Sequence, residues 1–374
     1  MGSSSPPPCR VAILGAGVIS SAHVAAIRKA PNTKLTAVCD LDQAKTDEFQ
    51  KIHGPVEAFS SLEAMLEKAK PDVVHILLPP DLHGRMAGAC LARGVGVFVE
   101  KPYCVSTAEC NELDRLAGGT GAKIGVNHNL TFMPGLLRVV EMIRECRFGA
   151  IQHVTINFNL GLQRLAAGPH RHWMFGTTGN LVFELGPHPL SVIYQLVGGL
   201  FDVRVLTTGD LKLTNGVDFH SSWQCALSCE RGTAQLLLSV GKAYTNAWIH
   251  ILGEDAEAFV DLRRCTVRVS ERTHYMRVDD LVDGARNAAS LLRQSLANFK
   301  EFSLASVGLR PQFSWQQNSI DNSVSAFYKA LSSGAKIPVG APEGSGVVRM
   351  CEAIVASAHA SRESEEFLEA AARG

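Results

Sequence analysis

A glycine-rich turn near the start of the chain constrains the fold more than any other feature of the sequence. The turn, Gly15-Ala-Gly-Val-Ile-Ser20, follows the short apolar run Arg10–Leu14 and opens a helical pattern. Gly15 permits a tight turn, and Gly17 lets the backbone approach a pyrophosphate held at the helix N-terminus. In this context the turn predicts nucleotide binding, whereas alone it would also fit a structural role. The residues of the turn that we expect at a cofactor are Gly15, Gly17, Val18 and Ile19.

Strand-like apolar runs alternate with helical segments from residue 10 to about residue 130. Such alternation produces right-handed βαβ units, so residues 10–130 are predicted to form a doubly wound parallel sheet of the Rossmann type. Beyond this point polar and apolar residues alternate, which is typical of a half-exposed antiparallel strand. We therefore predict an α/β chain whose second domain, 131–374, is α+β with an open, mainly antiparallel sheet. Residues 1–9 are predicted to be a disordered leader, and a helix at 344–361 is a candidate to pack back on the first domain.

The composition excludes several classes of protein. The chain has 374 residues, 46% apolar and 19% charged side chains, and 36 basic residues that balance 36 acidic ones. Zero net charge argues against a nucleic-acid partner, which requires a surplus of Lys and Arg. The start of the chain is too polar for a signal peptide, and no apolar run is long enough to span a membrane. We expect a soluble cytoplasmic protein with neither a nucleic-acid nor a membrane partner.

An acidic residue follows the second predicted strand, Leu35–Cys39. Asp40 comes about 20 to 25 residues after the glycines, where a carboxylate accepts hydrogen bonds from the adenosine ribose. The same carboxylate would repel a 2′-phosphate, and the neighbouring Leu41 and Asp42 supply no cation. We therefore predict NAD as the cofactor rather than NADP; a plain turn residue is the alternative interpretation of Asp40.

Two further segments follow predicted strands at the carboxyl edge, where an open α/β sheet binds its ligands. Leu77-Leu-Pro-Pro-Asp-Leu-His83 comes after the fourth strand, and an exposed histidine at a helix start is its alternative interpretation. Glu100-Lys101-Pro102 comes after the fifth strand and places Lys101 at the cofactor edge, with a surface turn as the alternative. From these segments we expect cofactor contacts by Leu78, Pro79, His83, Glu100 and Lys101.

Glu184 and His188 are four residues apart in a predicted helix. They share one face of that helix if it stays regular through Gly186 and Pro187. A carboxylate beside an imidazole orients the ring and tunes its pKa toward neutrality, as proton transfer requires. Such a pair on a helix is more often structural, so it gains weight only in combination with the other segments.

Together these segments resemble the family of glucose–fructose oxidoreductase, inositol dehydrogenase and MocA-like proteins. The resemblance rests on the glycine-rich turn, Asp40, Glu100-Lys101-Pro102 and the segment from Gly179 to His188, in this order. It covers most of the chain, from about residue 10 to residue 360. Family members bind NAD or NADP and mostly oxidise or reduce a hydroxyl or carbonyl carbon of a sugar, a cyclitol or a similar polyol.

The resemblance also implies catalytic roles. Lys101 corresponds to the catalytic lysine and His188 to the proton-transferring histidine, while Glu184 falls where the family usually has Asp. In oxidation, His188 would accept the hydroxyl proton while hydride leaves the same carbon for the nicotinamide. Lys101 would stabilise the charge of the developing alkoxide. The extra methylene of Glu184 displaces its carboxylate, so its part in the triad has the weakest basis of the three.

Substrate recognition is expected in the second domain. The loop from Gln163 to Trp173 carries cations and an aromatic ring, which suit a polyol or a carboxylated sugar. No acidic cluster accompanies His170 and His172, so we predict no metal. The residues that we expect at the substrate are Lys101, Asn127, Arg164, His172, Trp173, Glu184 and His188.

The sequence therefore predicts an NAD-dependent oxidoreductase that acts on a sugar, a cyclitol or a related small polyol. Because an open antiparallel sheet with an exposed apolar face usually finds a partner, we expect a homodimer or a homotetramer. Two alternatives stay open at this point. One is a redox-neutral reaction, either NAD-assisted glycoside cleavage or epimerisation, in which hydride is borrowed and returned. The other is a non-catalytic, nucleotide-binding regulator of the same fold.

Overall fold

The computed structural model describes residues 7–162, 165, 168, 170–272, 276–307, 309 and 315–373. The chain forms two compact units. The first extends to Phe132 and also contains Ser319–Arg349, and the second comprises Met133–Asn318 and the residues from Met350 onward. The first division lies close to the predicted start of the second domain, but Ser319–Arg349 belongs to the first unit, not to a domain 131–374. Residues 1–6 of the predicted leader lie outside the described part of the chain.

Within the described residues, the first unit is built on a parallel sheet of six strands. The strands are β1 (Cys9–Leu14), β2 (Thr33–Cys39), β3 (Glu57–Phe59), β4 (Val73–Ile76), β5 (Gly96–Val99) and β6 (Ile124–Val126). Their order is β3-β2-β1-β4-β5-β6, and every neighbouring pair is parallel. The order reverses between β1 and β4, which creates the switch point where open α/β sheets bind ligands. The predicted doubly wound sheet is confirmed.

The helices of the first unit connect these strands. They are α1 (Ser20–Lys29), α2 (Gln43–His53), α3 (Leu62–Lys68), α4 (His83–Leu91) and α5 (Thr107–Thr120). Polar side chains cap three of them by accepting backbone N–H groups: Asp42 caps α2, Ser61 caps α3 and Ser106 caps α5. Each cap satisfies an N–H group that has no partner within its own helix, which sets where the helix begins.

The second unit is built on a mixed, mainly antiparallel sheet of seven strands in the described residues. The strands are β7 (Ile151–Leu160), β8 (Leu200–Lys212), β9 (Asp218–Cys229), β10 (Gly232–Val240), β11 (Asn246–Gly253), β12 (Ala256–Asp261) and β13 (Thr266–Glu271). Their order is β13-β12-β11-β7-β10-β9-β8, with β7 and β10 as the parallel pair. From Trp223 to the end of β9, buried and exposed residues alternate, as in a half-exposed antiparallel strand. The predicted fold of this part is confirmed.

Among the described residues, four α-helices lie wholly within the second unit. They are α6 (Pro134–Arg144), α7 (Asn180–Leu185), α8 (Pro187–Val197) and α9 (Met276–Ser306). The predicted single helix near residues 180–196 is divided at Gly186. Helix α9 was not predicted from the sequence, although Leu292, Leu296 and Phe299 recur at the spacing of one helical face.

The last two helices, α10 (Trp315–Ser333) and α11 (Ala341–Arg373), are each divided between the units. In the first unit, α10 contributes Val324, Phe327 and Tyr328 to the apolar core of the sheet, which explains why this part of the chain belongs there. The start of α11 also belongs to the first unit, and its later turns belong to the second. None of the helices in the described parts of the chain combines the length and apolar character that a membrane crossing requires.

Candidate active site

The glycine-rich turn has the geometry that its sequence predicts. Gly15 has φ of +102°, and a Cβ atom there would lie 2.6 Å from the carbonyl oxygen of Leu77, so only glycine fits. A Cβ atom at Gly17 would meet no atom within 4 Å, so the backbone there is open to a ligand. The Ser20 hydroxyl donates to the carbonyl oxygen of Gly17 at 2.6 Å, and the side chain is buried. Ser20 therefore holds the turn that a third glycine would otherwise complete.

Asp40 supports this turn from the end of β2. One carboxylate oxygen accepts the backbone N–H of Ala16 at 2.9 Å, and the other accepts that of Asp42 at 3.0 Å. These bonds fix the carboxylate beside the glycines while leaving each oxygen able to accept another hydrogen bond. The predicted proximity of the glycines and the acid is thus present in the structure.

A cleft of about 530 Å³ contains the turn and Asp40, and Leu78 and Pro79 line it as well. The open backbone at Gly17 and the half-exposed carboxylate of Asp40 fit the pyrophosphate and the ribose of a dinucleotide. Lys45 and Arg85 also line the cleft, although neither neighbours Asp40 in the sequence. Neither cation was predicted from the sequence, because Lys45 comes from the first turn of α2 and Arg85 comes from α4.

His83 lies at the same edge of the sheet, but its ring is engaged within the protein. The side chain is fully buried, with Nδ1 2.6 Å from the carbonyl oxygen of Pro102 and Nε2 2.8 Å from that of Leu78. Burial lowers the pKa of His83, although the two carbonyl groups act in the opposite direction. This arrangement differs from the expected cofactor contact, because the ring lies between carbonyl oxygens of the loops that follow β4 and β5, and a neutral imidazole donates to one of them.

Glu100 and Lys101 follow β5, and the peptide bond between Lys101 and Pro102 is cis. One oxygen of the Glu100 carboxylate accepts hydrogen bonds from Asn127 Nδ2 at 2.6 Å and His23 Nε2 at 2.8 Å. The other oxygen accepts the backbone N–H of Lys101 at 3.2 Å. Burial alone would raise the pKa of Glu100, but these hydrogen bonds and the nearby charges outweigh burial and lower it to about 2. Glu100 is therefore an ionised carboxylate at the ligand-binding edge.

Asn127 is placed differently from the expected substrate contact. Its side chain is 1% exposed, and it uses Nδ2 to hold Glu100. Its Oδ1 atom is buried and has no hydrogen-bond partner among the described residues. The neighbouring His128 is also buried, and burial lowers its pKa to about 4. Asn127 thus lies beneath the edge of the sheet, in contact with another predicted site residue.

Glu184 and His188 lie on either side of the break between α7 and α8 in the second unit. Gly186 keeps helical dihedral angles, with φ of −57° and ψ of −36°. Its N–H donates to Val182, and its carbonyl oxygen accepts from Leu190. The backbone therefore remains helical through Pro187, and the two side chains share a face as predicted. Both are half-buried, and the ring of His188 lies 6.0 Å from that of Phe158.

The predicted substrate loop is described only in part. Arg164 lies outside the described residues, as does Gln163. Nδ1 of His172 accepts the backbone N–H of Met174 at 3.2 Å, so His172 caps the short turn that contains Trp173. Trp173 is half-buried. Within the described ranges, no group of three or more His, Cys, Asp and Glu residues has the arrangement of a metal site.

Comparison with known proteins points to one kind of fold and chemistry. The model of a family described as an oxidoreductase family with an NAD-binding Rossmann fold matches residues 9–128. The trans-1,2-dihydrobenzene-1,2-diol dehydrogenase of Bos taurus is 25% identical over 252 residues, which cover 61% of this chain and 74% of that protein. The scyllo-inositol 2-dehydrogenase (NADP⁺) of Bacillus subtilis is 24% identical over 282 residues, covering 73% of this chain and 82% of that protein.

A solved structure extends this likeness to both units. The WlbA dehydrogenase from Bordetella pertussis, in complex with NADH and UDP-GlcNAcA, matches with a TM-score of 0.74. The identity is 19%, and the match covers 96% of this chain and 97% of that chain. At this identity the comparison establishes the fold of the chain.

Proposed function

We propose that the chain, whose residues 9–128 match the model of an oxidoreductase family with an NAD-binding Rossmann fold, belongs to the glucose–fructose oxidoreductase, inositol dehydrogenase and MocA family and is a dehydrogenase or reductase of small polyhydroxylated substrates. Hydride would pass between the nicotinamide and a hydroxyl or carbonyl carbon of a sugar, a cyclitol or a related polyol. The observation that carries the proposal is the shared carboxyl edge of the first unit, where the open turn at Gly17, the carboxylate of Asp40 and Lys101 all follow parallel strands.

The cofactor-binding roles follow from this edge. The turn from Gly15 to Ile19 would hold the pyrophosphate, and Asp40 would bind the adenosine ribose. Leu78 and Pro79 would form one wall of the cleft. Glu100 and Lys101 follow β5, the strand beside β4. The bound NAD supplies a hydride acceptor, and the protein supplies binding, orientation and charge.

Three side chains would act on the substrate. Lys101 would donate a hydrogen bond to the substrate oxygen and stabilise its charge as the hydroxyl proton leaves. His188 would accept that proton, and Glu184 would orient the imidazole. Glu184 is longer than the aspartate usual in the family, but the helical backbone through Gly186 and Pro187 supports a common face for the pair. We propose Trp173 and His172 as contacts to the remaining hydroxyl groups.

The substrate class is inferred from the relatives. They are named as dehydrogenases of an inositol and of a dihydrodiol, and WlbA was solved with a nucleotide sugar acid. Vicinal hydroxyl groups on a ring are common to these molecules. We therefore propose a cyclic polyol or sugar as the substrate, with oxidation at one secondary hydroxyl group.

The test is the absorbance of reduced nicotinamide with NAD and a panel of cyclitols, aldoses and sugar acids. We expect net NADH formation with at least one substrate and a loss of kcat of at least about a hundredfold in Lys101→Ala and His188→Ala. Lys34→Ala, which removes an exposed lysine from β2, is the matched control and should keep full activity. Product formed without net NADH would contradict the proposal in favour of a redox-neutral reaction. NAD binding with no turnover on any substrate would favour a regulator.

We also propose that two copies of the chain associate through the sheet of the second unit. One face of that sheet has a cavity of about 590 Å³ lined by strand residues that include Leu206, Leu237 and Trp248. Leu206 is 52% exposed in the single chain, which is unfavourable for a leucine on an open sheet. Light scattering should give a dimer or a tetramer, and Leu206→Lys should shift it toward the monomer. The cytoplasmic location stays a prediction.

A further inference from the structure

Five polar side chains form a continuous hydrogen-bonded chain inside the first unit. Asn127 Nδ2 and His23 Nε2 both contact Oε1 of Glu100, at 2.6 Å and 2.8 Å. His23 Nδ1 lies 2.9 Å from Nδ1 of His75, and His75 Nε2 lies 2.9 Å from the hydroxyl of Tyr328. Both imidazoles are fully buried, and Tyr328 is 2% exposed. We call this set the buried polar chain.

The ionised carboxylate sets the direction of the hydrogen bonds. Because a carboxylate only accepts, His23 Nε2 must carry a proton toward Glu100. If His23 is neutral, its Nδ1 accepts the Nδ1 proton of His75, and His75 Nε2 then accepts the hydroxyl proton of Tyr328. Every ring nitrogen is satisfied, and each histidine is held in one tautomer. Burial is the main reason that the pKa of His75 lies well below its usual value, so His75 stays neutral.

Other charged and titratable groups act electrostatically on the two ends of the buried polar chain. At one end, Lys101, His83 and His128 lie within electrostatic reach of Glu100. At the other, burial is the main reason that the pKa of Tyr328 lies well above its usual value, and Cys9 and Asp72 raise it further electrostatically. Phe98 lies against both imidazoles, with ring centroids 6.0 Å from His23 and 4.9 Å from His75. The middle of the chain is thus shielded from solvent.

A purely structural role does not explain these residues well. His75 occupies a strand position between Val74 and Ile76 where an apolar side chain would pack without a hydrogen-bonding requirement. Buried polar groups are costly unless every member is satisfied, and replacing them with apolar residues is often neutral or stabilising. The hydrogen bonds of the buried polar chain end on Glu100, which also accepts the backbone N–H of Lys101.

We propose that Tyr328, His75 and His23 are positioning residues that fix the Glu100 carboxylate and, through it, the orientation of Lys101. Asn127 holds the same carboxylate from β6. This inference rests on the proposed function, because it assigns Lys101 to the reaction. The chain carries no proton to the substrate; it limits the carboxylate to one orientation and one charge state beside the lysine.

The kinetic test is Tyr328→Phe, which removes one hydroxyl from the far end of the chain. We expect kcat to fall about threefold to tenfold while KM for NAD stays within about twofold. The matched control is Tyr103→Phe, which removes another buried hydroxyl, bonded to Asp114, and should leave both kcat and KM for NAD unchanged.

A double variant tests whether Tyr328 and His75 act through the same chain. His75→Gln should lower kcat, and the double variant with Tyr328→Phe should be no worse than His75→Gln alone. Additive losses, or an unchanged kcat in Tyr328→Phe, would overturn the proposal. A fall in melting temperature alone, with unchanged kinetics, would assign the chain a structural role and overturn it as well.

A spectroscopic readout separates this proposal from the proposed function. Spectra of the full chain with ¹⁵N-labelled histidine should show His75 neutral, protonated at Nδ1, and His23 protonated at Nε2. Tyr328→Phe should change the signals of both rings. If no substrate yields NADH, the proposed function fails, yet these spectra still test whether the buried polar chain holds His23 and His75 in single tautomers. Histidine signals typical of freely exchanging tautomers in the wild-type protein would refute it.

Discussion

The hydroxyl of Ser20 lies 2.6 Å from the carbonyl oxygen of Gly17, so the side chain that replaces a third glycine makes its own bond across the turn. Ser20 is 3% exposed and begins α1, while Gly17 leaves open space above its backbone. The same residue therefore packs α1 against the sheet and holds the backbone that a pyrophosphate would approach.

Ser20→Gly is expected to destabilise the protein by about 1–2 kcal/mol, because it removes this hydrogen bond and adds backbone freedom at the start of α1. Affinity for NAD should change by less than about threefold, since glycine at this position keeps the turn. Thermal unfolding and NAD titration measure the two effects. Ala25→Gly, in the same helix and at a position whose side chain has no polar atom, controls for backbone freedom alone. Equal losses of stability in the two variants would contradict the role of the hydroxyl.

Asp40→Ser is expected to weaken NAD binding by at least about tenfold and to improve NADP binding. The carboxylate that would repel a 2′-phosphate is removed, while Lys45 and Arg85 line the same cleft and can attract one. Titration of both cofactors measures the change in preference. Asp47→Ser, on an exposed face of α2, is the control and should retain the preference for NAD. An unchanged ratio of the two affinities in Asp40→Ser would show that the carboxylate does not select the cofactor.

His128 is expected to make stability fall as the solution becomes more acidic. Its pKa is lowered from 6.5 to about 4 by burial, so below pH 6.5 the unfolded chain takes up a proton before the folded protein does. The contribution is fully present above pH 6.5 and is lost as the pH falls toward 4, by up to about 3 kcal/mol. Urea unfolding across this range should show a flatter pH dependence in His128→Leu. His359→Leu, at an exposed position, should keep the wild-type slope, and an equal slope in all three proteins would argue against this assignment.

Glu184→Gln is expected to lower kcat by at least about tenfold, because the neutral amide cannot stabilise an imidazolium at His188. Glu184→Asp restores the residue that is usual in the family and should keep most of the activity. Steady-state rates on the best substrate of the panel measure both variants. Glu145→Gln, which removes an exposed carboxylate from the second unit, should behave as wild type. Full activity in Glu184→Gln would remove Glu184 from the proposed triad.

Local sequence patterns predicted the kind of each sheet and the nucleotide turn. Continuous apolar runs such as that at residues 72–78 indicated strands buried on both faces, and the alternation along residues 152–159 indicated an antiparallel strand. Gly15 and Asp40 were predicted to lie close together because a parallel sheet places the carboxyl ends of β1 and β2 at one edge. These predictions required only periodicity, chain order and the handedness of βαβ units.

Only the tertiary structure decided which side chains meet within each unit. Ser319–Arg349 belongs to the first unit because Phe327 and Tyr328 pack into the core of that unit. No local sequence pattern predicts this contact. Glu100 accepts hydrogen bonds from His23 and Asn127. Glu100 was predicted to contact the cofactor and Asn127 the substrate, and in the structure the two side chains bind each other. Hydrogen bonds between residues far apart in sequence leave no periodic signal, since one residue at each end suffices to form them. The sequence alone therefore determined the elements and their chemistry, and the folded chain determined their partners.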